Sequence, residues 1–174
     1  GLRSHANALS KQGQRIKALE DKGNLLLSDI VEHSDDIKKK KDDTLSLGLL
    51  YGYEVPAGHI QLCDGQQRIT TLYLLLGLLN RRTHTLSDRL ISQRELDDSS
   101  EPYLQFAIRE STLYFMTDLV NYFFLANENM IKVSDIKKQG WYFKDYDNDP
   151  TIISMIESLK VMEEIVDQLK DDEP

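Results

Sequence analysis

Residues 60–72 read Ile60-Gln61-Leu62-Cys63-Asp64-Gly65-Gln66-Gln67-Arg68-Ile69-Thr70-Thr71-Leu72, and within this stretch the apolar period changes. His59 to Leu62 alternate polar and apolar, the period of a strand. Ile69, Leu72, Tyr73, Leu76 and Leu79 then recur at helical spacing to about Arg82. Asp64-Gly65 supplies the turn between them, so the stretch predicts a strand, a turn and a helix. Such a turn leaves the first backbone N–H groups of the helix without partners and aims its positive dipole end at one point, which favours an anion. Arg68 falls in the first helical turn, where a cation opposes the dipole by roughly 0.3–1 kcal/mol unless something neutralises it. A bound phosphate would turn that conflict into a clamp, and local inconsistencies of this kind gather at functional sites.

Each of these residues also has a plain structural reading. Asp64 could cap the helix, Gln66 and Gln67 could be solvated, Arg68 could pair with an acid elsewhere, and Thr70-Thr71 could bond back to the preceding turn. Cys63 reads as a buried strand residue, since a thiol nucleophile needs a histidine of known proximity.

Working outward, Leu45, Leu47, Leu49, Tyr51 and Tyr53 put every second side chain of Thr44–Tyr53 on one face, and Glu54–Gly58 carries the Pro and Gly of a turn. With His59–Leu62 this predicts a β-hairpin feeding the Asp64-Gly65 turn. Upstream, Leu26, Leu27, Ile30, Val31 and Ile37 follow a helical period over Asn24–Lys40. That segment ends in Lys38–Lys41, a solvated helix end whose field the flanking Asp35, Asp36, Asp42 and Asp43 nearly cancel. Residues 1–23 are polar with weak periodicity and read as an arm, disordered or degenerate, before a domain at 24–174. Downstream, Thr83–Glu101 is polar, with a loop at Asp97–Ser100, and Tyr103–Ile108 reads as a short strand. Ser111–Leu125 reads as a helix buried on more than one side. Asp149-Pro150 is an N-cap followed by Pro at the first helical position, and Ile152, Met155, Ile156, Leu159, Met162, Ile165, Val166 and Leu169 form an apolar stripe. The expected fold class is α+β: a small sheet with a hairpin, followed by helices packed on it.

Composition sets the outer bounds. A chain of 174 residues, 40% hydrophobic and 29% charged, has length for one domain and a sizeable core. Its 21 Lys and Arg against 29 Asp and Glu give a net charge of −8, which repels phosphate backbones and excludes nucleic acid as the partner of the surface as a whole. One cysteine allows no internal disulfide, and four scattered histidines offer no zinc spacing. The longest apolar run, Leu72–Leu79, is under half of the ~20 residues of a membrane helix, and no signal peptide is visible, so a reducing cytoplasm is expected. The chain opens at Gly1 and stops at Asp171–Pro174 straight after a helical pattern, and reads as a fragment of a longer protein.

Asp64-Gly65-Gln66-Gln67-Arg68-Ile69-Thr70-Thr71-Leu72 resembles the DGQQR(L/I)TTL signature of the N-terminal, S-type domain of GmrSD-like type IV, modification-dependent restriction systems, a domain related to the ParB/sulfiredoxin fold. The likeness extends to Leu47-Gly48 (the family's LG strand), Leu26–Ile30 (LLxDI), Phe106–Ser111 (YExR-S) and Trp141–Met155 (W…DPTI..M), in matching order over roughly Leu25–Leu169. The chain departs from the family at its start. There only Gln14-Arg15 remains of an IPxYQRxYxW-like segment, with Gly13 where Tyr is expected.

The resemblance implies a ParB/sulfiredoxin-like sheet and a nucleotide-binding, NTP-hydrolysing regulatory domain in phage defence, acting with Mg²⁺ and a nucleoside triphosphate. In that reading Arg68 supplies charge to phosphate, the amides after Gly65 bind a phosphate oxygen, Asp64 holds a Mg²⁺-bound water or orients the attacking one, and Gln66 or Gln67 positions it. Thr70 and Thr71 line the phosphate site, and Arg109 is a second phosphate ligand or, as readily, a surface salt bridge. The expected partner is an HNH-type nuclease domain or subunit. This chain lacks that chemistry, so DNA is touched only indirectly, no membrane is involved, and a homo-oligomer is open. Two competitors stand beside it: a ParB-like phosphodiesterase or DNA nuclease, opposed by the charge and by a single acid in the motif, and a non-catalytic nucleotide-sensing module.

Overall fold

The structure, a computed structural model, describes residues 46–55, 57–93, 100–127 and 131–171. The expectations for the arm at 1–23 and the helix with its lysine run at 24–41 lie outside the described residues. The described chain is α+β: an antiparallel hairpin followed by helices. Strands β1 (Tyr51–Glu54) and β2 (Ile60–Asp64) pair, with Tyr53 opposite Gln61 and Glu54 opposite Ile60, and a register shift falls between Tyr51 and Gly52. Gly58, at a φ of 82°, takes the left-handed turn position, where its N–H donates to Glu54 Oε1 at 2.7 Å. Helix α1 (Gln66–Thr83) follows directly.

The first strand is shorter than its alternation predicts. Residues 46–50 carry no strand, because Gly48 takes a φ of 95° and Arg68 occupies the carbonyls a longer strand would offer to a neighbour. After α1 come a one-turn helix α2 (Ser87–Leu90) and a second antiparallel pair, β3 (Ile91–Gln93) with β4 (Ser100–Pro102). The strand expected at Tyr103–Ile108 therefore lies earlier in the chain. The segment after Pro102 is irregular, and the Tyr103 N–H donates to Leu90 O at 3.0 Å.

Helix α3 (Glu110–Leu119) continues into a wide turn at Val120–Phe124, closed by Leu125 N–H onto Val120 O at 2.9 Å. Two 3₁₀ helices, Val133–Lys138 and Lys144–Asn148, lead to α4 (Pro150–Asp171).

The core lies between α1, α3 with its wide turn, and α4. Leu74, Phe115, Met116, Leu119, Phe123, Phe124, Ile152, Ile156, Leu159 and Met162 are buried together, so the stripe of α4 faces α1, and among the described residues the helices pack on one another rather than on the hairpin as expected. Gly77 lets α1 come close: a Cβ there would lie 2.4 Å from the Phe124 ring. Asn80, fully buried, ties the elements together by donating to Phe124 O at 3.1 Å and accepting from Leu86 N at 2.8 Å. Among the described residues no helix is long and apolar enough to cross a membrane.

Candidate phosphate site at the start of helix α1

Gly65 initiates α1 with a φ of 85°, a conformation that suits glycine, and its carbonyl accepts the Ile69 N–H at 3.0 Å. A Cβ at this position would meet Leu50 Cδ2 at 2.4 Å, so that exposed side chain would have to shift, and the positive φ remains the main reason for glycine. No side chain caps the helix, and no acid lies in its first turn. The first amides of the helix, those of Gln66, Gln67 and Arg68, therefore receive no side-chain cap against the positive end of the dipole.

The side chains divide into those tied locally and those left over. Gln66 Nε2 donates to Leu62 O at 3.1 Å, and Thr70 Oγ1 donates to Gln66 O at 2.8 Å, the back-bond anticipated for a helical threonine. Thr71 is buried. Asp64 and Gln67 are exposed, and Asp64 does not cap the helix. Cys63, expected to be buried, is exposed, because both faces of the hairpin are open among the described residues.

Arg68 is the most connected member. Its Nη1 donates to Leu47 O at 2.9 Å, its Nη2 donates to Leu49 O at 2.7 Å, and Asp64 Oδ2 lies 3.7 Å from Nη2. The guanidinium thus latches the segment before β1 onto α1, and the two carbonyls and the carboxylate offset the unfavourable position of a cation at a helix start. An arginine carries five N–H donors in a fixed fork, so two carbonyl contacts do not exhaust it.

Arg109 serves a different helix. It pairs with Asp149 Oδ1 at 3.2 Å, the salt-bridge alternative. Asp149 is 3% exposed and caps α4 through the Thr151 N–H at 2.9 Å; it also accepts from Ser111 Oγ at 2.6 Å and from Thr112 Oγ1. Burial alone would raise the Asp149 carboxyl. The hydrogen bonds from Ser111, Thr112 and the Thr151 amide, with the Arg109 charge behind them, outweigh it and hold the group below the usual carboxylate value.

Arg81 is the main polar group that spacing did not reveal. It is buried, lies 3.8 Å from the centroid of the Phe123 ring, and donates from Nη2 to Ile131 O at 2.5 Å, while its Nε has no partner among the described residues. Burial lowers its pKa, opposed by the Glu163 charge. Its neighbour Arg82 donates to Val166 O at 3.0 Å and pairs with Asp167.

No group of three or more His, Cys, Asp or Glu among the described residues is placed to hold a metal ion. Comparison with known protein families, curated proteins and solved structures finds no match to this chain.

Proposed function

We propose that this chain is a nucleotide-binding domain that hydrolyses nucleoside triphosphates and serves as the regulatory part of a modification-dependent anti-phage restriction system, on a ParB/sulfiredoxin-like fold. The observation that carries the reading is the uncapped start of α1, with buried Gly65 in the left-handed conformation, Arg68 in the first turn and exposed Asp64 immediately before it. Helix starts of this kind bind phosphate through backbone amides and dipole together. The wider assignment rests on the likeness of Asp64–Leu72 to the DGQQR signature.

In this reading the amides of Gln66 and Gln67 hold a phosphate oxygen, Arg68 adds charge through its free donors, and exposed Gln67 orients water at the terminal phosphate. One exposed carboxylate suits Mg²⁺, which commonly takes one or two protein carboxylates with the rest of its shell from substrate phosphates and water. Asp64 would hold it, and the ion would supply charge neutralisation between phosphates. The partner in this scheme is an HNH-type nuclease domain or subunit, with DNA engaged through it, in the cytoplasm.

The latch of Arg68 on Leu47 and Leu49 favours a second reading, a sensor that binds a nucleotide without turning it over. Incubation with each nucleoside triphosphate and Mg²⁺ separates the two. Phosphate release by the wild type supports the hydrolase, saturable binding without release supports the sensor, and neither binding nor release rejects both. Nicking of DNA by this chain alone would instead support a phosphodiesterase.

A further inference from the structure

Two glycines flank the guanidinium of Arg68. A Cβ on Gly48 would lie 2.1 Å from Nη1 and 3.2 Å from Cζ, and a Cβ on Gly65 would lie 3.2 Å from Nη2. Both glycines take a positive φ, 95° at Gly48 and 85° at Gly65. The backbone of Leu47-Gly48-Leu49 therefore forms a cradle. Gly48 leaves the room, and the carbonyls on either side of it accept from Nη1 at 2.9 Å and from Nη2 at 2.7 Å.

These acceptors are neutral, which sets Arg68 apart from Arg82 and Arg109. Those two meet a carboxylate at contact, Asp167 and Asp149 respectively. The carboxylate near Arg68, Asp64, stands 3.7 Å away with its side chain 75% exposed, where water and salt screen the pair. Carbonyls thus fix this guanidinium without cancelling its charge. A cation left loose in a first helical turn is pushed outward by the positive helix end. In the cradle it stays against Gly65, the residue that starts α1, and the two carbonyls leave three of its five N–H groups for another acceptor.

We infer that Gly48 is a positioning residue of the phosphate site: lacking a side chain, it lets the Leu47 and Leu49 carbonyls hold Arg68 at the start of α1, so that a triphosphate meets a charge already in place. The inference rests on the phosphate reading of that helix start and adds to it a residue on a different segment. A methyl at position 48 meets the tip of a flexible side chain, so the guanidinium gives way first. The positive φ strains alanine besides, and either response opens the cradle.

The test is a cycle of four full-length proteins: wild type, Gly48→Ala, Arg68→Ala and the double variant. Each is titrated to millimolar concentration with Mg²⁺ and the nucleoside triphosphate that the wild type holds tightest. Gly48→Ala should weaken binding about tenfold when Arg68 is present and less than about twofold when it is absent, since coupled residues are not additive. Equal losses in both backgrounds, or unchanged or tighter binding by Gly48→Ala, would overturn the inference while the site stands. No binding by the wild type would reject the phosphate reading itself. A second measurement needs no ligand. In ¹⁵N NMR of the wild type, the guanidinium signal that Arg68→Ala removes should show hindered rotation about Cζ–Nη, and Gly48→Ala should turn it into that of a freely moving arginine. An unchanged signal in Gly48→Ala would overturn the inference whatever the affinities.

Discussion

The two long helices begin in opposite ways. At α4, Asp149 is buried and accepts from Thr151, Ser111, Thr112 and Arg109, so the helix start is closed and neutralised by the protein. At α1, Asp64 is exposed, no side chain caps the first turn, and the cation in that turn, Arg68, is held by carbonyls of the preceding segment. Both starts follow an aspartate, and the next residue separates them. Pro150 is preset for the first helical turn and lets Asp149 cap it, whereas Gly65 takes the left-handed position itself and leaves the amides open. A closed helix start serves stability. An open one retains capacity for an external anion.

The strongest way to break this comparison is to attack the core that α4 anchors. Met155→Asp places a carboxylate among apolar side chains where Met155 is 3% exposed, and should cost several kcal/mol and abolish the cooperative thermal transition. A wild-type midpoint would contradict the packing.

Next in size is the closed start. Asp149→Ala removes a cap and its hydroxyl partners together and should cost about 3 kcal/mol by chemical denaturation, while Asp149→Asn, itself a good cap, should cost about half as much. The carboxyl of Asp149 is held below its unfolded value, so its contribution is present above the ordinary carboxylate range and is lost as pH falls through the lowered folded value. The wild type should therefore destabilise in acid more steeply than Asp149→Asn, and parallel acid limbs would remove Asp149 as the cause.

Gly77→Ala tests the close approach of α1 to the wide turn. Helix propensity alone favours alanine by about 1 kcal/mol, but the added methyl meets the Phe124 ring, and overpacking costs typically 1–3 kcal/mol. Net destabilisation is expected, and a raised thermal midpoint would show that the ring moves freely.

The smallest stability effect belongs to the open start. Arg68→Ala gives up two hydrogen bonds to a partly exposed segment, a loss of about 1 kcal/mol, while relieving the dipole conflict. Triphosphate affinity should fall far more than stability does.

Much of this contrast was legible in the sequence. The change of period at Asp64-Gly65 located the start of α1, and Asp149-Pro150 with its stripe located α4, because caps and periodicity are local signals. The shortened β1 was not legible, since Leu47 and Leu49 alternate as a strand would, and only the positive φ of Gly48 and the reach of Arg68 across about twenty residues end the pairing. No element was legible over residues 131–148, because two 3₁₀ helices have neither period. Their fixing contacts are tertiary, such as Tyr146 Oη on Asp118 at 2.9 Å and the Phe115 ring 5.5 Å from that of Tyr146. In the candidate site the residue types were legible and their allegiances were not: Arg109 belongs to Asp149, and Arg68 is shared between the site and its own chain.

Gln67→Glu tests the open start most directly, because at this exposed position the structural and functional effects have opposite signs. An acid in the first turn stabilises a helix by about 0.3–1 kcal/mol, yet repels an anion at the same amides. Calorimetric titration of a nucleoside triphosphate with Mg²⁺ into the wild type and into Gln67→Glu should show binding by the wild type and at least about tenfold weaker binding by a variant whose thermal midpoint is unchanged or raised. Equal affinity for the two proteins, or no binding by the wild type, would contradict a phosphate site at the start of α1.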